Sequence, residues 1–118
     1  MNFHGPRTQL FPSAKVTEGT EVVYTCPAGK KFFMIESLLV SDVGAAGKAE
    51  VVLRDAEDVH IRHLNWMLIR ENNKGVIPSD HCEPAYPIEL TAGMNVAVVS
   101  DAASLEAQCD MFGMETDA

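Results

Sequence analysis

Between Leu105 and Phe112 the chain alternates without a break: Leu105, Ala107, Cys109 and Met111 are apolar, and Glu106, Gln108 and Asp110 between them are polar. Successive side chains on a β-strand point to opposite faces, so this period of two describes a strand with one face on a core and one in water. Such a strand belongs to an antiparallel sheet, and its apolar face needs a second layer to cover it.

The rest of the chain supplies further strands. Val22, Tyr24 and Cys26 alternate before the turn Pro27-Ala28-Gly29, and Lys31 to Val40 carries Phe32, Phe33, Ile35, Leu38 and Leu39, a strand buried on much of both faces. Ala49 to Arg54 lies between the small-residue loop Gly44-Ala45-Ala46-Gly47 and the charged turn Asp55-Ala56-Glu57-Asp58. Ile61, Leu64 and Leu68 have near-helical spacing behind Asp58 as a cap, but Trp66, Met67 and Ile69 break that stripe. Val59 to Ile69 is therefore predicted as a strand with a largely buried second half and Trp66 in the core. Residues 71–87 hold Asn72, Asn73, Gly75, Pro78, Pro84 and Pro87, which predicts a long loop with a short extended piece at Val76-Ile77. Pro87 to Leu90 leads through Thr91-Ala92-Gly93 into a strand over Asn95 to Ser100, and Glu115 to Ala118 is predicted to fray. About seven or eight short strands at roughly ten-residue spacing, with no helix, predict an antiparallel, jelly-roll-like β-sandwich.

Residues 1–15 have no sustained period, and Gly5, Pro6, Pro12 and Ser13 interrupt Phe3, Leu10 and Phe11. They are predicted as an extended N-terminal arm ahead of a single β-sandwich domain over 16–118, a size that suits one core. Three large apolar groups on so broken a segment cannot bury themselves locally. The arm lies across the body's own sheet, lies against another subunit, or stays disordered.

Nine Lys and Arg against seventeen Asp and Glu give a formal charge of −8, the wrong sign for neutralising phosphates, so neither nucleic acid nor an anionic membrane is an expected partner. Arg7 and Lys15 are the only charged residues of the first fifteen, leaving seven basic and seventeen acidic residues in the other 103. A basic arm thus precedes an acidic body, which favours its docking on this chain or on a second copy. Cys26, Cys82 and Cys109 are odd in number and widely spaced, predicting free, mostly buried thiols without a zinc motif. No apolar run approaches the roughly 18 residues of a membrane span, and the first residues lack an apolar signal region, so synthesis in a cytoplasm is expected.

Candidate chemistry is sparse. His60 and His63 fall on opposite faces of a strand, and a metal would need further ligands from Asp80, His81, Cys82 or Glu83. Surface histidines are the expectation, with no metal and no cofactor. Ser79, Asp80 and His81 are direct neighbours, a poor arrangement for a triad that must converge from separate segments, and Cys82 beside His81 meets the same objection. The cupin pattern of His-x-His with downstream Glu and His is missing. The two Ala-Gly turns lack phosphate-loop spacing and are predicted as glycine reversals. The chain is expected not to be an enzyme.

One resemblance adds to this. Tyr24-Thr-Cys-Pro-Ala-Gly-Lys-Lys-Phe-Phe-Met-Ile-Glu-Ser-Leu-Leu-Val-Ser-Asp42 resembles a turn and apolar strand recurring in small virion proteins of tailed bacteriophages. Ile88-Glu-Leu-Thr-Ala-Gly-Met-Asn-Val96 is similar to their second landmark, with Met94 where Asp is usual, and Met111-Phe-Gly-Met-Glu115 is similar to their closing strand. The resemblance spans roughly residues 21–115 and concerns turns and strands. It implies a non-enzymatic virion structural protein made in the host cytoplasm: a homo-oligomer, trimeric by expectation, that serves as a capsid decoration protein or a neck or tail component. Its partners would then be itself and the major capsid or neck and tail proteins, met through Phe3, Leu10, Phe11, Val76, Ile77 and Tyr86. The alternative is a receptor- or glycan-binding β-sandwich using the 71–87 loops, followed by a small barrel enzyme using the histidines and Cys82.

Overall fold

The computed structural model describes residues 6–41, 46–69, 77–102 and 105–118. These residues form ten strands: β1 (Arg7–Leu10), β2 (Ser13–Val16), β3 (Gly19–Thr25), β4 (Lys30–Ser41), β5 (Gly47–Arg54), β6 (His60–Ile69), β7 (Ser79–Cys82), β8 (Ile88–Leu90), β9 (Asn95–Ser100) and β10 (Ala107–Asp117). Every pairing is antiparallel. One sheet runs β3-β9-β5-β6; in the other, β10 and β4 are central, with β1 and β2 on the free side of β10 and β7 and β8 on the free side of β4.

Two edges of the second sheet are single strands interrupted by proline. β1 and β2 lie on β10 in one continuous register, Leu10 opposite Gly113 and Ser13 opposite Asp110. Pro12 between them has no N–H to donate, and its carbonyl instead accepts from the Met111 amide at 3.0 Å. β7 and β8 are likewise separated by a segment holding Pro84 and Pro87. Counting each interrupted edge once leaves eight positions, and consecutive positions along the chain fall in opposite sheets for most of its length, the order of a jelly roll.

The sandwich is thus as expected, the arm takes the first of the three arrangements open to it, and two local expectations, on the tail and on Trp66, are corrected. Residues 7–16 form strands on the body's own sheet, with Leu10, Ala14 and Val16 packed against the core. In the loop region Ser79–Cys82 is a strand, Ile77 precedes it outside any strand, and Val76 lies outside the described residues. The tail does not fray: β10 runs to Asp117, Thr116 is buried, and Lys30 bonds Asp117 at 2.5 Å. Trp66 is half exposed, because the alternation of β6 sends Asn65, Met67 and Ile69 inward and Trp66 and Leu68 out, while Leu64 is buried as the extra residue of a bulge.

The core lies between the sheets, built from Phe32, Met34 and Leu39 of β4, Val51 and Leu53 of β5, Val96 and Val98 of β9, and Ala107, Cys109 and Met111 of β10. Gly113 is required where β10 crosses Phe32: a Cβ there would lie 2.1 Å from the ring and 2.6 Å from the Phe33 carbonyl oxygen. The register of β10 on β4 slips at this point, which leaves Ile35 as an extra residue on β4.

A buried polar contact also ties the layers. Asn65 of β6 is buried and reaches across to the other sheet, donating to the Ser37 carbonyl at 3.2 Å and to the Asp80 carbonyl at 3.0 Å, while the Ser37 hydroxyl donates to its side-chain oxygen. Asp80 also accepts from the Trp66 amide at 3.2 Å, so the edge between β6 and β7 is closed by hydrogen bonds.

Candidate functional site

The two outward faces carry the features that packing alone does not explain. On the β3-β9-β5-β6 sheet, Trp66 sits in register with Glu50 and Leu68 with Lys48. Trp66 is 50% and Leu68 57% exposed, and Val22 of β3, at the other edge of the same sheet, is exposed as well. Between the edges lie Val52 and Ala97, buried yet outside the core cluster. Apolar exposure on this face therefore sits at its two edges, Trp66 and Leu68 on β6 and Val22 on β3, with Glu50 and Lys48 in register with the first two and Val52 and Ala97 buried between; exposed apolar groups of this size are candidates for an interaction surface. The sequence hides it, because Leu64 to Ile69 has the composition of a strand covered on both sides.

Next to the patch, His60 and His63 pack edge to face with ring centroids 4.6 Å apart, and His63 Nε2 lies 2.5 Å from Glu50 Oε2. A three-residue spacing in a regular strand would separate these histidines. The register slips between Leu53 and Arg54, leaving Ile61 as an extra residue, and this bulge returns both to one face.

The face of β2, β10, β4 and β7 is different. A groove of about 340 Å³ crosses it, lined by Phe11, Phe112, Leu38, Glu36, His81 and Asp110 among others. Phe11 stacks on Phe112 at 5.0 Å, and Phe11 remains 72% exposed. His81 Nε2 lies 2.9 Å from Glu36 Oε2; this hydrogen bond, with Glu36, Glu83 and Asp80 nearby, raises the pKa of His81 above its ordinary value. One ligand atom from each of Glu36, His81 and Glu83 lies within 4.8 Å of the others.

The residues singled out in the sequence are scattered over these surfaces. Phe11 lines the groove, Leu10 packs inward, Ile77 and Tyr86 are highly exposed on either side of β7, and Phe3 and Val76 lie outside the described residues. His60 and His63 come together, but His81 and Glu83 are on the other sheet, so the ligand set considered from the sequence is not assembled. Nor do Ser79, Asp80 and His81 converge: strand alternation turns Asp80 toward Asn65 and His81 toward Glu36. Cys82 packs against the core, where burial raises its pKa away from a reactive thiolate. Burial pushes Cys109 up to about 12, and all three cysteines are free thiols. Tyr24 donates to Glu115 at 2.5 Å, and its burial, then this bond, raise its pKa.

No family model and no curated protein sequence matches the chain. Among solved structures it is similar to a chain of the cyanophage Pam1 capsid asymmetric unit, with a TM-score of 0.50 and 14% identity over 100% of this chain and 89% of that one. It is also similar to the virus-like particle protein of extra small virus of the giant freshwater prawn Macrobrachium rosenbergii, at 0.48 and 11%, covering 100% and 83%. A pentameric capsid protein from metagenomic phage sequences gives 0.44 and 16%, covering 91% and 59%. At 14% identity the likeness to the Pam1 chain is one of fold alone, and the strand order of this chain is that of a jelly-roll β-sandwich.

Proposed function

We propose that this chain is a non-enzymatic structural protein of a virus particle, working as a homo-oligomer seated on the capsid shell as a decoration protein. The observation that carries the reading is the apolar face of β3-β9-β5-β6, where Trp66, Leu68 and Val22 face water although the core between the sheets is already complete. Covering that face removes apolar area from water, the main driving force of association. The fold likeness to a Pam1 capsid chain over the whole length supports the same reading. A protein that engages only the assembled shell stabilises it by its binding free energy, and many weak copies add to a large effect.

Phe11, Ile77 and Tyr86 are the further contact residues of this proposal, with Phe3, Val76 and Leu10 completing the set expected from the sequence. Light scattering of the purified chain tests self-association. A mass of several chains, reduced by Trp66→Ser with Leu68→Ser while the circular dichroism spectrum is unchanged, is expected. A wild-type monomer that also fails to sediment with purified shells would overturn the proposal.

A further inference from the structure

We propose that Glu36, His81 and Glu83 form a binding site for a divalent transition-metal ion, with Zn²⁺ the ion that suits their donors. The β4-β7 ladder builds the site. Leu38 lies opposite His81 and Ser37 opposite Cys82, so one step further along the same register brings Glu36 to the position across from Glu83. Residues 36, 38, 81 and 83 therefore share the outward face, away from Asn65 and the core.

The geometry has the dimensions of a coordination sphere. The three ligand atoms lie within 4.8 Å of one another, and bonds of about 2.0–2.2 Å to a common ion would put them roughly 3.3 Å apart, a shift within reach of two glutamate side chains. His81 Nε2 already points at Glu36 Oε2, 2.9 Å away, so the imidazole needs no new orientation to present that nitrogen. One imidazole with two carboxylates suits zinc and its neighbours, whereas calcium and magnesium prefer oxygen alone.

Two further observations point to a cation. Carboxylates facing each other across an antiparallel ladder repel, and here a single imidazole stands beside them. A divalent charge removes that repulsion. Glu36 and His81 also line the groove, whose open volume leaves room for water at the remaining positions of a tetrahedral ion.

Isothermal titration of the full chain with ZnCl₂ tests the site. One ion bound per chain is expected, with affinity lowered about tenfold or more in Glu36→Gln, Glu83→Gln and His81→Ala, and unchanged in His60→Ala with His63→Ala. Glu36→Gln keeps the shape of an exposed side chain, so a loss there reports the ligand and not the fold. Co²⁺ in place of Zn²⁺ should give visible bands without the near-ultraviolet thiolate band, since Cys82 faces the opposite side. Absence of binding, binding unchanged in Glu36→Gln and His81→Ala, or a thiolate band lost in Cys82→Ser would each overturn the proposal.

Discussion

The two sheets solve the same problem in different ways. In β1/β2-β10-β4-β7/β8 the outer edges are broken: Pro12 interrupts one, and a segment with Pro84 and Pro87 interrupts the other. Its outward face is grooved and mixed, with Phe11 on Phe112 beside Glu36, His81 and Asp110. In β3-β9-β5-β6 the edge strand β6 runs ten residues, bent by two bulges, and its outward face carries Trp66 and Leu68. Proline and bulges are both devices that blunt an edge against unwanted strand addition. The first sheet sets polar side chains beside the Phe11–Phe112 pair in one groove, whereas the second exposes Trp66 and Leu68 on its edge strand, so the candidate ion site and the Trp66 surface lie on opposite faces of the sandwich.

Substitutions sharpen that contrast. The largest effect on folding is expected at Gly113, which belongs to neither surface: Gly113→Val drives a side chain into Phe32 and should cost about 3 kcal/mol or more. Denaturant unfolding measures it, and combining the change with Phe32→Leu should recover part of the loss, because the two positions share one space. A site where Gly113→Val is neutral would contradict the packing of β10 on β4.

Next comes the seam between the sheets. Asn65→Ala leaves the Ser37 hydroxyl and the Asp80 carbonyl without their partner and should cost about 2–3 kcal/mol, read from the same unfolding curves. Asp80→Asn keeps the shape and should cost less. Equal losses at both positions would mean that the charge of Asp80, rather than the Asn65 bridge, holds the edge.

Trp66→Ser should change folding stability by less than about 0.5 kcal/mol, since the ring is half exposed and outside the core, yet lower the mass of the associated form. A large loss of stability in a monomeric variant would move Trp66 from docking surface to structural residue.

The smallest effect is a pH dependence. The hydrogen bond to Glu36 raises the folded-state pKa of His81 above 6.5, so its contribution to stability is complete below the ordinary histidine value and is lost as pH rises through the raised one. In metal-free protein, Glu36→Gln should reduce that slope, leaving only the smaller part owed to Glu83 and Asp80, as followed by unfolding on both sides of neutrality and by the His81 ring resonances.

Much of the fold was legible in the sequence because it is written in local alternation. β10, β9 and β4 carry their faces in their residue order, and the turns before β4 and β9 carry Gly29 and Gly93 in left-handed conformations. What was not legible depends on partners. β1, β2 and β7 are four-residue strands with weak patterns, held by the ladders of β10 and β4. Trp66 looked internal because an apolar run does not say whether a second layer covers it. The groove and the Glu36, His81 and Glu83 cluster rest on cross-strand register between residues some 45 positions apart, which no local pattern records. The pairing of His60 with His63 likewise required a bulge at Ile61.

The proposed role makes this chain a component of a virus particle. Quantitative mass spectrometry of particles purified from the material that carries the encoding genome tests it most directly. The chain is expected in a fixed ratio to the major shell protein, at a copy number of hundreds for a decoration protein and about a dozen for a neck or tail component. Its absence from intact particles, while it is abundant in the same infected cells, would rule out a virion role.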